Sequence, residues 1–347
     1  MRLSVLDQSV AVTGRSADAS IRETLALAQH CEALGYERFW VSEHHSHPTI
    51  VGSAPEVLMA AIAASTQRIR IGSAGVMLPH YSALKVAEQF RVLEALAPGR
   101  IDLGVGRAPG SDGRTAQLLN PQSHGAADNF PLQVRELQAW VGNHPLPEGH
   151  PGRGVQAQPT GPTAPVLWML GSSNYGAQLA AHYGLPYAFA YFITDGQGAE
   201  EALAMYRDLY RPSPQHPLPQ PALCVWALAA DTEEEAWHHF SGRERWKIDR
   251  NRGALGPLQS AAELALRPYG PAEQMQADQL RRTALVGSGA QVAEKLRALS
   301  TAMDVEELVV ITWAHAPAAR RRSYELLAAQ FFDAHAADKT IHNKEIS

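Results

Sequence analysis

Cysteine is nearly absent from this chain of 347 residues, which contains only Cys31 and Cys224. Each stands in an apolar stretch, so we expect two buried free thiols rather than a disulfide or a thiolate metal site. No window holds about 18 uninterrupted apolar residues, and the first residues show no basic stretch followed by an apolar one. These absences argue against a disulfide scaffold, a membrane helix and a secretory leader, and they predict a cytoplasmic protein.

Positive charge is also in short supply. The chain has 30 Lys and Arg against 35 Asp and Glu, a net charge of -5, and no basic block interrupts this balance. Nucleic acids and anionic membrane surfaces attract clustered positive charge, so we expect neither as a partner. Apolar residues make up 45% of the chain, which is enough for a large core.

Strand-like apolar runs alternate with helix-like segments along the chain. The predicted strands cover residues 2–6, 36–41, 69–78, 100–105, 166–170, 187–190, 222–230 and 307–313. The predicted helices cover residues 20–34, 54–66, 82–96, 130–141, 174–183, 198–210, 232–246, 290–299 and 317–332. Such alternation implies parallel strands joined by crossover helices. Eight strands, each followed by a helix, favour an α/β fold of the (β/α)₈ TIM-barrel type, although a doubly wound sheet could hold the same elements.

The predicted organisation is one barrel domain over residues 1–332, followed by a frayed polar tail at 333–347. Excursions are expected near 106–130, 142–165 and 246–285, the last of them as a long irregular insertion. Barrel enzymes carry their chemistry on the segments just after the strands. In this chain the residues at those positions are Gln8, His44, Gly75, Arg107, Ser172, Tyr191 and Trp313.

Two of these segments predict an anion site. The run from Arg100 to Gly113 ends its strand in glycines and Arg107, whose guanidinium suits a phosphate. Between the fifth strand and its helix stand Gly171, Ser172, Ser173 and Asn174, where backbone N–H groups favour an anion. A plain helix cap without a ligand is the alternative for the second segment. Neither segment matches a Walker loop or a dinucleotide fingerprint.

Small residues interrupt the third predicted strand at Ser73, Ala74 and Gly75. Glycine within a strand marks a bulge or the close approach of a flat ligand. An aromatic ring could lie on such a floor, but a tight barrel interior explains the same residues equally well. Trp313, in the last strand, could likewise fill the core or face the mouth of the barrel.

Three histidines lie within four residues after the second strand, at His44, His45 and His47. Neighbouring loop residues rarely converge on one metal ion, and a hydrolytic zinc site needs a further ligand from another strand. We therefore predict no metal here. A hydrogen-bonding or proton-handling histidine, or a structural one at the barrel rim, is the expectation instead.

Several of these runs together resemble the bacterial luciferase-like flavin-dependent monooxygenases, in particular the single-chain luciferase-like oxidoreductase subgroup. The resemblance covers nearly the whole chain, and no single run is specific by itself. The runs that carry it are Leu3–Ser9, Glu43–His45, Gly72–Met77, Arg100–Gly110, Leu170–Asn174, Gly184–Phe189 and Tyr324–Leu327.

The resemblance implies a (β/α)₈ barrel that uses reduced FMN and O₂ through C4a-peroxyflavin chemistry. It implies that Arg107, with Gly171, Ser172 and Ser173, holds the FMN phosphate. Ala74 and Gly75 would lie against the flavin ring, where the family often has a cis peptide bond. His44 matches the histidine near the reactive face of the flavin and becomes the catalytic candidate.

The resemblance also has departures and consequences. Val76 and Met77 stand where the light-emitting luciferase has a cysteine near the flavin, so we do not expect bioluminescence. Because no NAD(P)H fingerprint is visible, a separate flavin reductase is the expected partner, and the family allows a homodimer. The substrate is a small organic molecule that the sequence does not identify. A deazaflavin-dependent oxidoreductase, a metal-dependent hydrolase and a non-catalytic flavin-binding protein remain the alternatives.

Overall fold

The computed structural model describes residues 1–122 and 125–332, so the predicted frayed tail at 333–347 lies outside the described residues. Ten strands follow one another along this part of the chain. They are β1 (Arg2–Asp7), β2 (Arg38–Val41), β3 (Arg70–Ser73), β4 (Val76–Met77), β5 (Ile101–Gly106), β6 (Val166–Gly171), β7 (Tyr187–Phe189), β8 (Pro221–Ala230), β9 (Leu285–Ser288) and β10 (Glu307–Ile311).

Eight strand positions close into a parallel barrel. The order runs β1, β2, β3 with β4, β5, β6, β7, β8 and β10, and β10 pairs with both β8 and β1. The closing registers place Val310 opposite Val225 and Val5. A doubly wound sheet has two open edges, so this closure excludes that alternative. The predicted (β/α)₈ barrel is confirmed.

Helices surround the barrel and connect its strands. They are α1 (Ala17–Leu34), α2 (Pro55–Ser65), α3 (Ala83–Leu96), α4 (Gly113–Leu119), α5 (Phe130–Val141), α6 (Asn174–Tyr183), α7 (Tyr191–Thr194), α8 (Ala199–Asp208), α9 (Glu233–Arg250), α10 (Ala261–Ala265), α11 (Pro271–Thr283), α12 (Gly289–Met303) and α13 (Pro317–Phe331). Short 3₁₀ turns cover Leu78–His80 and Ala126–Asn129. No helix among the described residues is both long enough and apolar enough to cross a bilayer.

Alternation along the strands separates two apolar cores. In β2, Phe39 packs outward under the helices, while Trp40 points into the barrel. β8 repeats this with Val225 outward and Trp226 inward. Successive strand side chains point to opposite faces, so a continuous apolar run fills both cores at once. Cys31 and Cys224 are both free and buried, as expected.

A charged network lies inside the barrel, and the sequence analysis did not anticipate it. The Asp102 carboxylate, fully buried, accepts hydrogen bonds from Arg38 Nη1 at 2.8 Å and Trp40 Nε1 at 3.0 Å. Arg70 Nη2 donates to its other oxygen at 2.6 Å, and Arg38 Nε reaches Glu307 at 2.8 Å. The charges are paired within the network, which is the condition for burying them.

The third predicted strand, which small residues interrupt, is divided into two strands. It consists of β3 and β4, separated by Ala74 and Gly75, whose peptide bond is cis. β3 pairs with β2 and β5, whereas β4 pairs with β5 alone.

The predicted irregular insertion at 246–285 is also wrong. α9 continues to Arg250, and the segment then forms α10 and α11 before β9. A capping box of Ser260 and Glu263 starts α10, and Pro271 starts α11. β9 adds a parallel strand outside the barrel against the end of β8. The excursion at 106–130 contains α4, whereas residues 142–165 form no helix or strand.

Candidate active site

A cavity of about 460 Å³ opens at the carboxyl ends of the barrel strands. Every strand position of the barrel contributes to its wall, through Gln8, His44, Gly75, Arg107, Ser172, Ala190, Trp226 and Trp313. The cavity also contacts the other predicted cofactor residues, Ala74, Gly171 and Ser173. The structure therefore brings together the candidate catalytic residue His44 and all six candidate cofactor residues, which are Ala74, Gly75, Arg107, Gly171, Ser172 and Ser173. Tyr191 does not line the cavity and lies beside Gly196 instead, while its neighbours Ala190 and Phe192 face the space.

One end of the cavity combines an arginine with a helix N-terminus. The Arg107 guanidinium is exposed and lies 4.0 Å from the centroid of the Tyr175 ring. Ser173 is the N-cap of α6, but its side chain makes no capping hydrogen bond. The first N–H groups of a helix lack intrahelical acceptors and carry partial positive charge. Arg107, the Ser172 and Ser173 hydroxyls and this helix end form a chemically consistent anion site.

The glycines at the barrel wall have a packing explanation. A Cβ on Gly75 would lie 2.5 Å from Leu170 Cδ1 and 2.8 Å from the Gly104 carbonyl oxygen. A Cβ on Gly104 would lie 2.1 Å from the Ser73 carbonyl oxygen. Tight contact between neighbouring strands therefore requires both glycines, whatever lies in the cavity. Gly106 differs, because an added Cβ would meet nothing within 4 Å.

The three histidines separate into different environments. His44 and His47 line the cavity with their ring centroids 5.7 Å apart in an edge-to-face arrangement. His47 Nδ1 accepts backbone N–H groups from Thr49 and Ile50 at 3.1 and 2.9 Å, so this ring is held structurally. Burial, reinforced by the neighbouring His47 and His45, lowers the pKa of His44 to about 4. His44 is therefore a neutral imidazole at neutral pH.

Glu43 is an important neighbour to which the sequence analysis gave no role of its own. Glu43 is 1% exposed, and its carboxylate forms a hydrogen bond with His45 Nε2 at 2.7 Å. The carboxylate also accepts hydrogen bonds from the Tyr81 hydroxyl at 2.6 Å and the Met77 N–H at 3.1 Å. Burial first, then the Glu43 carboxylate, raises the pKa of Tyr81. Glu43 thus fixes β4 next to the cavity wall. The available signal was an acidic residue two positions after the end of β2.

One face of α9 forms a second overlooked part of the wall. Arg243, Trp246, Lys247 and Arg250 all line the cavity. Spacings of three, four and seven residues place side chains on one helical face. The predicted helix ended at residue 246, which hid this pattern. Trp246 packs edge-to-face on Trp313 with centroids 4.7 Å apart, and Trp313 Nε1 donates to Gln8 Oε1 at 3.2 Å.

The metal alternative has no geometric support in the part of the chain that the structure describes. Residues 1–122 and 125–332 contain no group of three His, Cys, Asp or Glu side chains placed to hold one ion. Instead, His44 and His47 line the cavity, and His47 also accepts two backbone N–H groups. His45 bonds to the Glu43 carboxylate.

Comparison with known proteins identifies the family. The family model described as luciferase-like monooxygenase matches residues 1–305. The chain is 44% identical to the uncharacterized protein YwcH of Bacillus subtilis (strain 168), covering 95% of this chain and 99% of that protein. It is 37% identical to the N-acetyl-S-alkylcysteine monooxygenase of the same organism, covering 94% and 97%.

A solved structure agrees with these sequence matches. The crystal structure of apo-MsnO8 superposes with a TM-score of 0.86 at 37% identity and covers 95% of this chain and 98% of that one. The strands, the cavity at their carboxyl ends and these matches lead to one conclusion. The chain belongs to the luciferase-like monooxygenase family and is an oxidoreductase.

Proposed function

We propose that this protein is an FMN-dependent monooxygenase that uses O₂ and a small organic substrate. One observation carries the proposal: Arg107 and the uncapped N-terminus of α6 lie together at a cavity that also has aromatic and aliphatic walls. A cofactor with an anionic tail and a flat aromatic body matches this division. The relative named N-acetyl-S-alkylcysteine monooxygenase supports oxygen transfer to a small molecule.

The residues present fit FMN. Arg107, Gly171, Ser172 and Ser173 would hold the phosphate, because they offer a guanidinium, two hydroxyls and helix-end N–H groups. Ala74 and Gly75 would support the flavin ring from the β3–β4 side. A phosphate anchor far from the ring fixes the ring's position, which is what an oriented reaction requires. The cavity volume lies within the range of ordinary cofactor and ligand sites.

The protein's own groups would control the surroundings of the reaction. When bound, reduced FMN supplies the activation of O₂ and the transfer of one oxygen atom. His44 is neutral, so it would hold a hydrogen bond at the cavity wall rather than carry a proton as an imidazolium. Trp246 and Trp313 would exclude water from the reactive space, which protects reactive intermediates from hydrolysis.

Reduced flavin would come from a separate NAD(P)H-dependent flavin reductase. The sequence carries no dinucleotide fingerprint, and the anion end of the cavity would be occupied by the FMN phosphate. We expect no turnover with NADH and FMN unless a reductase is added. Turnover with NADH alone would contradict this part of the proposal.

The central test compares three cofactors on the purified protein. Fluorescence titration should show tighter binding of FMN than of riboflavin, because riboflavin lacks the phosphate. Preference for a deazaflavin such as F420 would favour the alternative cofactor. The protein, a flavin reductase, FMN, NADH and N-acetyl-S-methylcysteine are then mixed under oxygen-18 gas. One labelled oxygen atom in the product supports the monooxygenase, whereas bound FMN without oxygen consumption supports a non-catalytic flavin protein.

A further inference from the structure

Arg243 on α9 is a buried arginine that faces the cavity. Its side chain lies over the Trp226 ring, with Cζ 4.4 Å from the ring centroid, and the residue is 7% exposed. Within residues 1–122 and 125–332 its guanidinium takes part in no hydrogen bond and no ion pair. Burial lowers the pKa of Arg243 to about 10, so the group is still a cation at neutral pH.

The other buried arginines of the described chain all have acceptors. Arg38 pairs with Asp102 and Glu307, and Arg245 with Asp249 and Glu273. Arg320 reaches Asp7, and Arg91 donates to four backbone carbonyls. A buried charge without a partner is costly, and each of these four guanidinium groups has at least two acceptors or ion-pair partner atoms. Arg243 is the exception, and it is also the one that lines the cavity.

The charges around Arg243 are mostly positive. Lys247 follows one turn later and is ion-paired with Asp195. Arg250 lies at the next turn, exposed, with its guanidinium 5.8 Å from the Trp246 ring centroid. Asp195 is the carboxylate that acts on Arg243 through space, and it is already ion-paired with Lys247. The wall of the cavity formed by α9 therefore has an excess of positive charge that a bound anion would balance.

We propose that Arg243 binds the carboxylate of the organic substrate, and that the substrate class is small carboxylic acids with an apolar arm. This inference rests on the proposed function, because it assigns Arg107 and the α6 terminus to the cofactor phosphate. A planar guanidinium matches a carboxylate with two parallel hydrogen bonds. The apolar arm would contact the neighbouring aromatic and aliphatic wall, formed by Ile50, Phe192, Trp246 and Trp313.

The test uses a matched pair of probes, 4-phenylbutanoate and 4-phenylbutanamide, that differ in charge but hardly in shape. Calorimetry measures their binding to the protein with and without saturating FMN. We expect the acid to bind at least about tenfold more tightly than the amide, the scale of a charge-assisted hydrogen bond. Arg243→Met should remove this preference, because the methionine can still cover Trp226 but carries no charge. Arg243→Lys should retain part of the preference.

Arg297→Met is the control, because Arg297 lies over the Phe331 ring at 4.5 Å but on the exposed outside of the barrel. It should keep the full preference for the acid. Equal binding of acid and amide to the unchanged protein would overturn the proposal. A preference that survives Arg243→Met in a folded protein, as judged by circular dichroism, would overturn it as well.

FMN and riboflavin titrations show whether Arg243 binds the substrate carboxylate or the phosphate of FMN. Arg243→Met should leave FMN affinity within about twofold, which supports binding of the substrate rather than the cofactor. If the variant weakens FMN but leaves riboflavin unchanged, Arg243 holds the cofactor phosphate and the proposal is overturned. If FMN fails to bind while the acid preference and its loss in Arg243→Met persist, the carboxylate site stands and the flavin function fails.

Discussion

The Arg107 guanidinium lies over the Tyr175 ring, 4.0 Å from its centroid, and so connects the end of β5 with the first turn of α6. This contact positions a cation beside helix N–H groups that have no side-chain cap. The two elements are neighbours because β5 and β6 pair in parallel through registers such as Val105 with Met169. Both strands therefore deliver their following loops to the same end of the barrel.

Arg107→Ala should weaken FMN binding by about 1.5–3 kcal/mol, the value of a hydrogen bond to a charged group. That is roughly a 10- to 150-fold increase in the dissociation constant. Riboflavin affinity should not change, because the arginine acts on the phosphate. Fluorescence titration measures both ligands, and Arg114→Ala, an exposed arginine on nearby α4, is the control. Unchanged FMN affinity in Arg107→Ala would remove this assignment.

His44 should not titrate between pH 5.5 and 8, because its pKa is lowered to about 4. The pKa is lower in the folded protein than in the unfolded chain, where it is near 6.5. The stability that neutral His44 contributes is therefore complete above pH 6.5 and declines as the pH falls toward 4.

NMR of ring-labelled histidine measures this titration directly. His44→Gln identifies the signal, and the same protein in urea gives the unfolded reference. A folded-state midpoint near 6.5 would show that the imidazole is not shielded from solvent, and a proton-donating His44 would return as a candidate.

Gly104→Ala should destabilise the protein by about 1–3 kcal/mol, the range for overpacking. The added methyl would lie 2.1 Å from the Ser73 carbonyl oxygen, and two paired backbones cannot yield easily. Gly106→Ala, two residues later in the same strand, should change stability by less than about 0.5 kcal/mol, because no atom lies within 4 Å. Urea unfolding compares them, and equal loss in both variants would contradict the packing explanation.

Asp102→Asn should cost about 3–5 kcal/mol in the free energy of unfolding, because it removes the carboxylate that pairs with Arg70 and leaves Arg38 with Glu307 alone. Burial alone would raise the pKa of Asp102, but these two arginines hold it below its ordinary value of 3.8. The stabilisation is therefore present above that pH and lost as the pH falls below it.

Asp231→Asn is the matched control, because Asp231 pairs with Arg322 on the surface. Exposed ion pairs contribute little to stability, so its urea midpoint should stay close to that of the unchanged protein. If both variants unfold at the same urea concentration, the buried network does not stabilise the barrel.

Much of the candidate site was predictable from local patterns. Arg107, Ser172 and His44 follow apolar runs, and in a parallel barrel every strand delivers its carboxyl end to one rim. The structure places these residues at one cavity, and their roles toward FMN stay predictions. The role of Arg243 was missed because the predicted helix ended at residue 246, before Lys247 and Arg250, which share its helical face. A residue 136 positions after Arg107 also gives no local sign of sharing its cavity.

The sequence by itself determined the alternation of strands and helices, since apolar periodicity and glycine or proline boundaries are local properties. Closure of the barrel, the Asp102 network and the burial of Glu43 were decided only by the tertiary structure, since each joins residues far apart in the chain. The same is true of the glycine at position 75, because a side chain there would clash with Leu170 on another strand. The spacing of apolar residues along the chain determines which face of a helix or strand is apolar. Only the packing of the elements in the folded protein determines which residues that face contacts.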